Sequence, residues 1–140
     1  MSHPIHPCLW FDGQARAAAD FYCSIFPNSK ILQENPMVVT FELNGRKFMG
    51  LNGGPKYKFT EAVSLVVECD TQEEIDHYWN RLLDGGEESR CGWLKDRFGV
   101  SWQIIPKKLG EWMSDPERAK RVGPVLLKMV KLEIAALEKA

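Results

Sequence analysis

One order of segments occurs twice in this chain, and that repeat limits the fold more than any single motif. Residues 6–11 form a short apolar run ending at Asp12-Gly13, where Asp12 is suited to cap a helix. Ala15, Ala18, Ala19, Tyr22, Ile25 and Phe26 then recur at helical spacing until Pro27-Asn28 stops them. Residues 29–34, 37–43 and 46–51 read as strands, divided by Asn35-Pro36 and by the hairpin signal Asn44-Gly45. After the linker Gly53-Gly54-Pro55 the order starts again. Residues 62–69 are a strand, Asp70-Thr71 with Glu74 form a capping box, and Ile75, Tyr78, Trp79, Leu82 and Leu83 mark a buried helix face that Gly85-Gly86 ends. Residues 87–94 and 100–105 are further strands, with a short extra one folded into the first.

Placing Asp12 on Asp70 brings the first strands into register and sets Phe21-Tyr22 against Tyr78-Trp79 to within one residue. Asn44-Gly45 then falls on Phe98-Gly99, four residues before Gln103. Two modules of this kind each leave an apolar sheet face that needs a partner layer. The prediction is an α+β fold of paired βαβββ modules, with mixed sheets forming a cleft that would hold a ligand. We expect one domain over 1–140, with modules at about 4–54 and 60–107 and a helical extension over 108–140. In that extension Ser114-Asp115-Pro116 begins a helix. Gly123-Pro124 starts or kinks a last one through Ala140, with Leu126, Leu127, Val130, Ile134 and Leu137 on one stripe.

Composition removes several classes of function. A net charge of −1 gives no electrostatic footprint for nucleic acid. No apolar run approaches the roughly 20 residues that span a bilayer, and the N-terminal residues show neither a basic region nor a small-residue cleavage site. A cytoplasmic protein without a membrane partner is expected. Cys8, Cys23, Cys69 and Cys91 are scattered, with no CxxC pair, and read as small buried hydrophobes. No serine or cysteine sits in a nucleophile elbow, so hydrolase chemistry has no support.

The stretch 92–106, GWLKDRFGVSWQIIP, carries the most chemistry. Asp96-Arg97 builds a turn, and in the return strand Val100, Trp102 and Ile104 share one face while Ser101, Gln103 and Ile105 share the other. Trp102 reads as core. Gln103, a polar amide among β-branched neighbours, needs a partner or a ligand. Trp10 and Trp93 are candidate walls for a flat or apolar ligand.

With these pieces placed, PCLWFDG at 7–13, DFYCSIFPNS at 20–29, GGEESRCGWLKDRFGVSWQIIP at 85–106 and MVKLEIAALEKA at 129–140 together resemble the PhnB-like branch of the vicinal oxygen chelate superfamily, the glyoxalase and bleomycin-resistance proteins. The resemblance implies paired glyoxalase-like modules, a homodimer, and a metal or small ligand held by the concave sheet. It also implies that ligands to a metal would come from four positions, which fall here on His6, Met49, Ser64 and Gln103. Only His6 is a good donor to a divalent ion, and Gln103 stands where active relatives commonly have Glu. The expectation is therefore a small-molecule binder without an essential metal cofactor, with His6 and Gln103 the weak candidates if a divalent ion does bind. His6 has a second reading, a hydrogen bond at the start of an edge strand. Cavity candidates are His6, Cys8, Trp10, Ser64, Cys91, Trp93 and Gln103; whether the chain is an enzyme stays open. The alternative is a metal-dependent lyase, isomerase or dioxygenase. Relatives often bear the name 3-demethylubiquinone-9 3-methyltransferase, yet the chain lacks the glycine-rich turn after a first strand that a doubly wound, cofactor-binding sheet would need.

Overall fold

Each repeat folds onto a four-stranded sheet of its own. The computed structural model describes residues 3–140, and the chain divides after Phe59 into two units. The first holds β1 (Cys8–Phe11), α1 (Ala15–Ile25), β2 (Lys30–Glu34), β3 (Val38–Leu43) and β4 (Arg46–Asn52). Its sheet runs β1-β4-β3-β2, with β1 parallel to β4 and the other pairs antiparallel. Period-two burial puts Leu9, Phe11, Val39, Phe41 and Leu43 against Ala15, Ala18, Ala19, Tyr22 and Ile25 of α1. Small residues set the spacing there: a Cβ on Gly50 would lie 3.1 Å from that of Ala15.

Two local expectations need correction in this unit. The first strand starts at Cys8, which leaves His6 in the coil before it. Asp12 does not cap α1; Gln14 holds that position without a side-chain bond, because the turn is spent on Gly13 at φ +79°. The missing cap comes from far along the chain, where Asn52 Oδ1 accepts from the Ala15 amide at 2.9 Å. The glycine linker is also tied down. The Gly53 and Gly54 amides donate to Phe11 O at 3.0 and 3.3 Å, Trp10 Nε1 donates to Gly54 O at 2.9 Å, and Tyr57 packs edge-on to Trp10 with centroids 4.9 Å apart.

The second unit, Thr60–Ala140, repeats the plan with β5 (Ser64–Cys69), α2 (Gln72–Leu83), β6 (Glu87–Glu88), β7 (Trp93–Lys95) and β8 (Ser101–Pro106). The order is β5-β8-β7-β6, with β5 parallel to β8. The capping box forms: Thr71 Oγ1 accepts from the Glu74 amide at 3.2 Å while Glu74 Oε1 accepts from the Asp70 amide at 3.2 Å. Ile75, Trp79 and Leu82 pack on Leu94, Trp102 and Ile104. The predicted strand over 87–94 is two strands, broken where Cys91 and Gly92 take φ of +59° and +86°. The expected α+β architecture of two mixed sheets is therefore present.

The helical extension differs from the expectation. It forms α3 (Leu109–Ser114), α4 (Pro116–Leu127) and α5 (Ile134–Lys139). Asp115 caps α4 by accepting from the Glu117 amide at 3.2 Å, and the helix runs straight through Gly123-Pro124. Glycine before proline removes the Cβ that would clash with the proline ring in a helical backbone. The break falls later, at 128–133, where main-chain groups are recruited elsewhere. Cys91 N donates to Met129 O and Gly92 N to Val130 O, both at 2.8 Å. Gln72 clasps the same segment, donating to Leu132 O at 3.0 Å and accepting from the Ile134 amide at 2.8 Å. Leu132, Leu137, Val122 and Trp112 form a core of their own, so the predicted single stripe is cut, and Leu127 is left exposed.

Candidate functional site on the second sheet

The face of the second sheet turned away from α2 carries an unusual density of polar groups. Register places Glu87 opposite Lys95, Lys95 opposite Ser101, and Ser101 opposite Ser64, a row that crosses all four strands. One step along, Trp93 lies opposite Gln103 and Gln103 opposite Val66. Gln103 Nε2 donates to Ser64 Oγ at 2.9 Å, so the amide finds its partner in the neighbouring parallel strand. Val66 remains 52% exposed beside them, which leaves an apolar platform next to this polar pair. Ser101, at 1% exposure, places its Oγ without a hydrogen-bond partner among the described residues.

The frame beneath this face is rigid for a reason visible in the turn. Asp96 is buried, and its Oδ1 accepts from the amides of Phe98 and Val100 at 2.8 and 3.1 Å while Oδ2 accepts from Trp102 Nε1 at 2.9 Å. A carboxylate with that many donors fixes both the turn and the face on which Trp102 sits. Gln103 is thereby held on the opposite face. Arg97 braces the turn from outside, donating from Nε to Asp84 O at 3.0 Å and pairing through Nη2 with the Asp84 carboxylate at 3.0 Å.

At the rim, Lys95 pairs with Glu61. That hydrogen bond, with the attraction of charge behind it, holds the Glu61 carboxyl below the usual carboxylate range and raises Lys95, to which Glu87 adds a smaller pull. Both groups are at the surface, so the pair contributes little to stability. No cysteine offers a nucleophile at this face. Burial pushes the Cys69 thiol up to about 12, and it lies on the helix side of the sheet.

Of the seven residues singled out from sequence, Ser64, Trp93 and Gln103 are brought together. Cys91, chosen for its strand position, sits instead in the turn between β6 and β7. His6, Cys8 and Trp10 belong to the first unit, where Cys8 pairs in register with Met49 and Trp10 is bound to its own linker. Cys8 is exposed rather than buried, unlike Cys69. Sequence reasoning passed over Ser101, Glu87 and Lys95. The signal was present for Ser101, which alternation puts on the same face as Gln103; the other two depend on cross-strand register, which no local pattern reveals.

The residue types at the positions mapped from the family are poor donors to a divalent metal. The four mapped positions offer one imidazole, one thioether, one hydroxyl and one amide, and the last two are hydrogen-bonded to each other. Among the described residues, no group of three or more His, Cys, Asp or Glu is placed to hold an ion.

Comparison with known proteins bears on the same region. Residues 3–105 match the family described as 3-demethylubiquinone-9 3-methyltransferase. A PhnB protein from Bacillus cereus, carrying that same enzyme name, is 34% identical over 74% of this chain and 99% of its own, with a TM-score of 0.67. The fosfomycin resistance protein FosX from Listeria monocytogenes, solved with Mn(II) and sulfate, is similar in fold at 18% identity, covering 81% of this chain and 97% of its own, TM-score 0.61. A glyoxalase-related enzyme from Fulvimarina pelagi is similar at 18% identity over 75% of this chain and 88% of its own, TM-score 0.56. A search of curated proteins finds no match.

Proposed function

The chain belongs to the PhnB-like family described as 3-demethylubiquinone-9 3-methyltransferase and has the glyoxalase-like fold of vicinal oxygen chelate proteins, and from that premise we propose that it binds a small molecule on the open sheet face around Ser64, Trp93 and Gln103 without an essential metal. The observation that carries this is the 2.9 Å bond between Gln103 and Ser64. Two positions that would donate to an ion in a metal-dependent relative are spent on each other, while a tryptophan and an exposed valine beside them suit an organic ligand. Methyl transfer is not part of the proposal. Each sheet has a single parallel pair, and neither is the doubly wound sheet with a glycine-rich turn that would cradle a nucleotide-like methyl donor. No helix is long and apolar enough to cross a membrane. We further propose that the protein acts as a homodimer in the cytoplasm, the latter supported by four free cysteines.

Elemental analysis of protein purified without chelator, followed by calorimetric titration with Mn, Zn or Ni, tests the metal-free reading. Metal far below one equivalent is expected, with the same weak response in wild type and in Gln103→Ala. One tightly held equivalent, lost in Gln103→Ala or His6→Ala, would instead establish the metal-dependent lyase, isomerase or dioxygenase. A fragment screen by thermal shift tests the binding role, because a ligand of the native state raises its apparent stability. Hits should move the resonances of Ser64 and Gln103.

A further inference from the structure

On the same face, a cavity of about 140 Å³ is lined by Glu61, Glu87, Glu88, Trp93, Lys95 and Ser101, with Ser89 and Leu94 completing the wall. Two independent features mark it as built for a ligand group. Ser101, a residue 1% exposed, contributes to the lining, and its hydroxyl is buried and unpartnered among the described residues. A buried polar atom left this way costs stability unless something supplies its hydrogen bond. The second feature is charge. Glu87 lies in the same cross-strand row as Lys95 and Ser101, and the Lys95 ammonium is already paired with Glu61, so Glu87 leaves the cavity negative.

We propose that this cavity takes the positively charged end of the ligand, a primary ammonium on a short apolar stem. An ammonium N–H supplies what Ser101 Oγ lacks, Glu87 balances its charge, and the Trp93 ring offers a face on which a cation is attracted and a methylene stem is covered. An anionic head group would meet the Glu87 carboxylate, and a bare metal ion would waste the tryptophan wall. The inference rests on the reading that this sheet face holds the ligand, and it goes further by fixing the chemistry of one end.

The test uses the whole protein and amide resonances followed during titration with n-butylammonium chloride, tetramethylammonium chloride or sodium butyrate at constant ionic strength. Butylammonium should give saturable shifts at Ser101, Trp93 and the Trp93 indole. Tetramethylammonium, which has no N–H for Ser101 Oγ, should bind more weakly. The substitution Glu87→Gln, on an exposed side chain, should weaken butylammonium about tenfold, as loss of a charge-assisted contact does. Ser101→Ala should weaken it without lowering Tm. Butyrate binding at these resonances as tightly as butylammonium would overturn the ammonium assignment while leaving the ligand face in place. If no probe of either charge, and no hit from the fragment screen, moves them, both fall.

Discussion

Asp96 shows how much one side chain can fix. Its carboxylate accepts from two turn amides and from the Trp102 indole, and it does so while buried. Replacing it with alanine leaves those donors unsatisfied in a dry site, for which a loss of roughly 3 kcal/mol is expected. Urea denaturation followed by tryptophan fluorescence measures it, and a loss no larger than that of an ordinary surface substitution would show that the network does not hold the turn. The sequence marks Asp96-Arg97-Phe98-Gly99 as a turn through its residue types alone. That the same aspartate reaches Trp102 is not legible, since it depends on which face of β8 the indole takes and on the depth of burial. The Gln103–Ser64 bond is hidden for the same kind of reason: a polar residue in an apolar strand announces the need for a partner, whereas the partner, 39 positions away, is chosen by strand order.

At the scale of elements, the segment 128–133 depends on Gln72. One amide side chain donates to Leu132 O and to Asp76 Oδ1, and accepts from the Ile134 amide that opens α5. Gln72→Ala should therefore release α5 and its neighbours first, read as faster amide exchange at 132–137 and a loss of about 1–3 kcal/mol. Acid should do the same by another route. Hydrogen bonds from Lys131 and then Gln72 hold the Asp76 carboxyl below the usual carboxylate range. A depressed folded value means the contribution is complete above the unfolded value and is lost as pH falls through the folded one. Exchange at 132–137 should thus quicken in that acidic window for wild type and shift less for Asp76→Asn. Periodicity located the helix after Pro116 but placed the next break at Gly123-Pro124, four residues too early. Local breakers are what a sequence displays; here the deciding bonds come from Gln72, Cys91 and Gly92, all remote in the chain.

For the whole molecule, the repeat was the legible part. Two strand–helix–strand runs predicted two mixed sheets, and the alignment of Asn44-Gly45 on Phe98-Gly99 anticipated equivalent hairpin turns. Assembly is a separate matter. As a homodimer the protein should sediment at twice its chain mass of 16.0 kDa across a range of concentrations; a single species at the chain mass would rule that assembly out. The matched family region ends at residue 105, but the second sheet is not finished there. The amides of Cys91 and Gly92 find their acceptors at Met129 and Val130, and an added Cβ on Gly92 would press within 3.0 Å of the Leu132 side chain. Residues beyond the matched region thus complete the hydrogen bonding of a turn inside it. A substitution at Gly92, whose added Cβ would also lie 2.9 Å from Ile104 O, and a shortening of the tail should each disturb this turn, one through backbone strain and the other through lost acceptors.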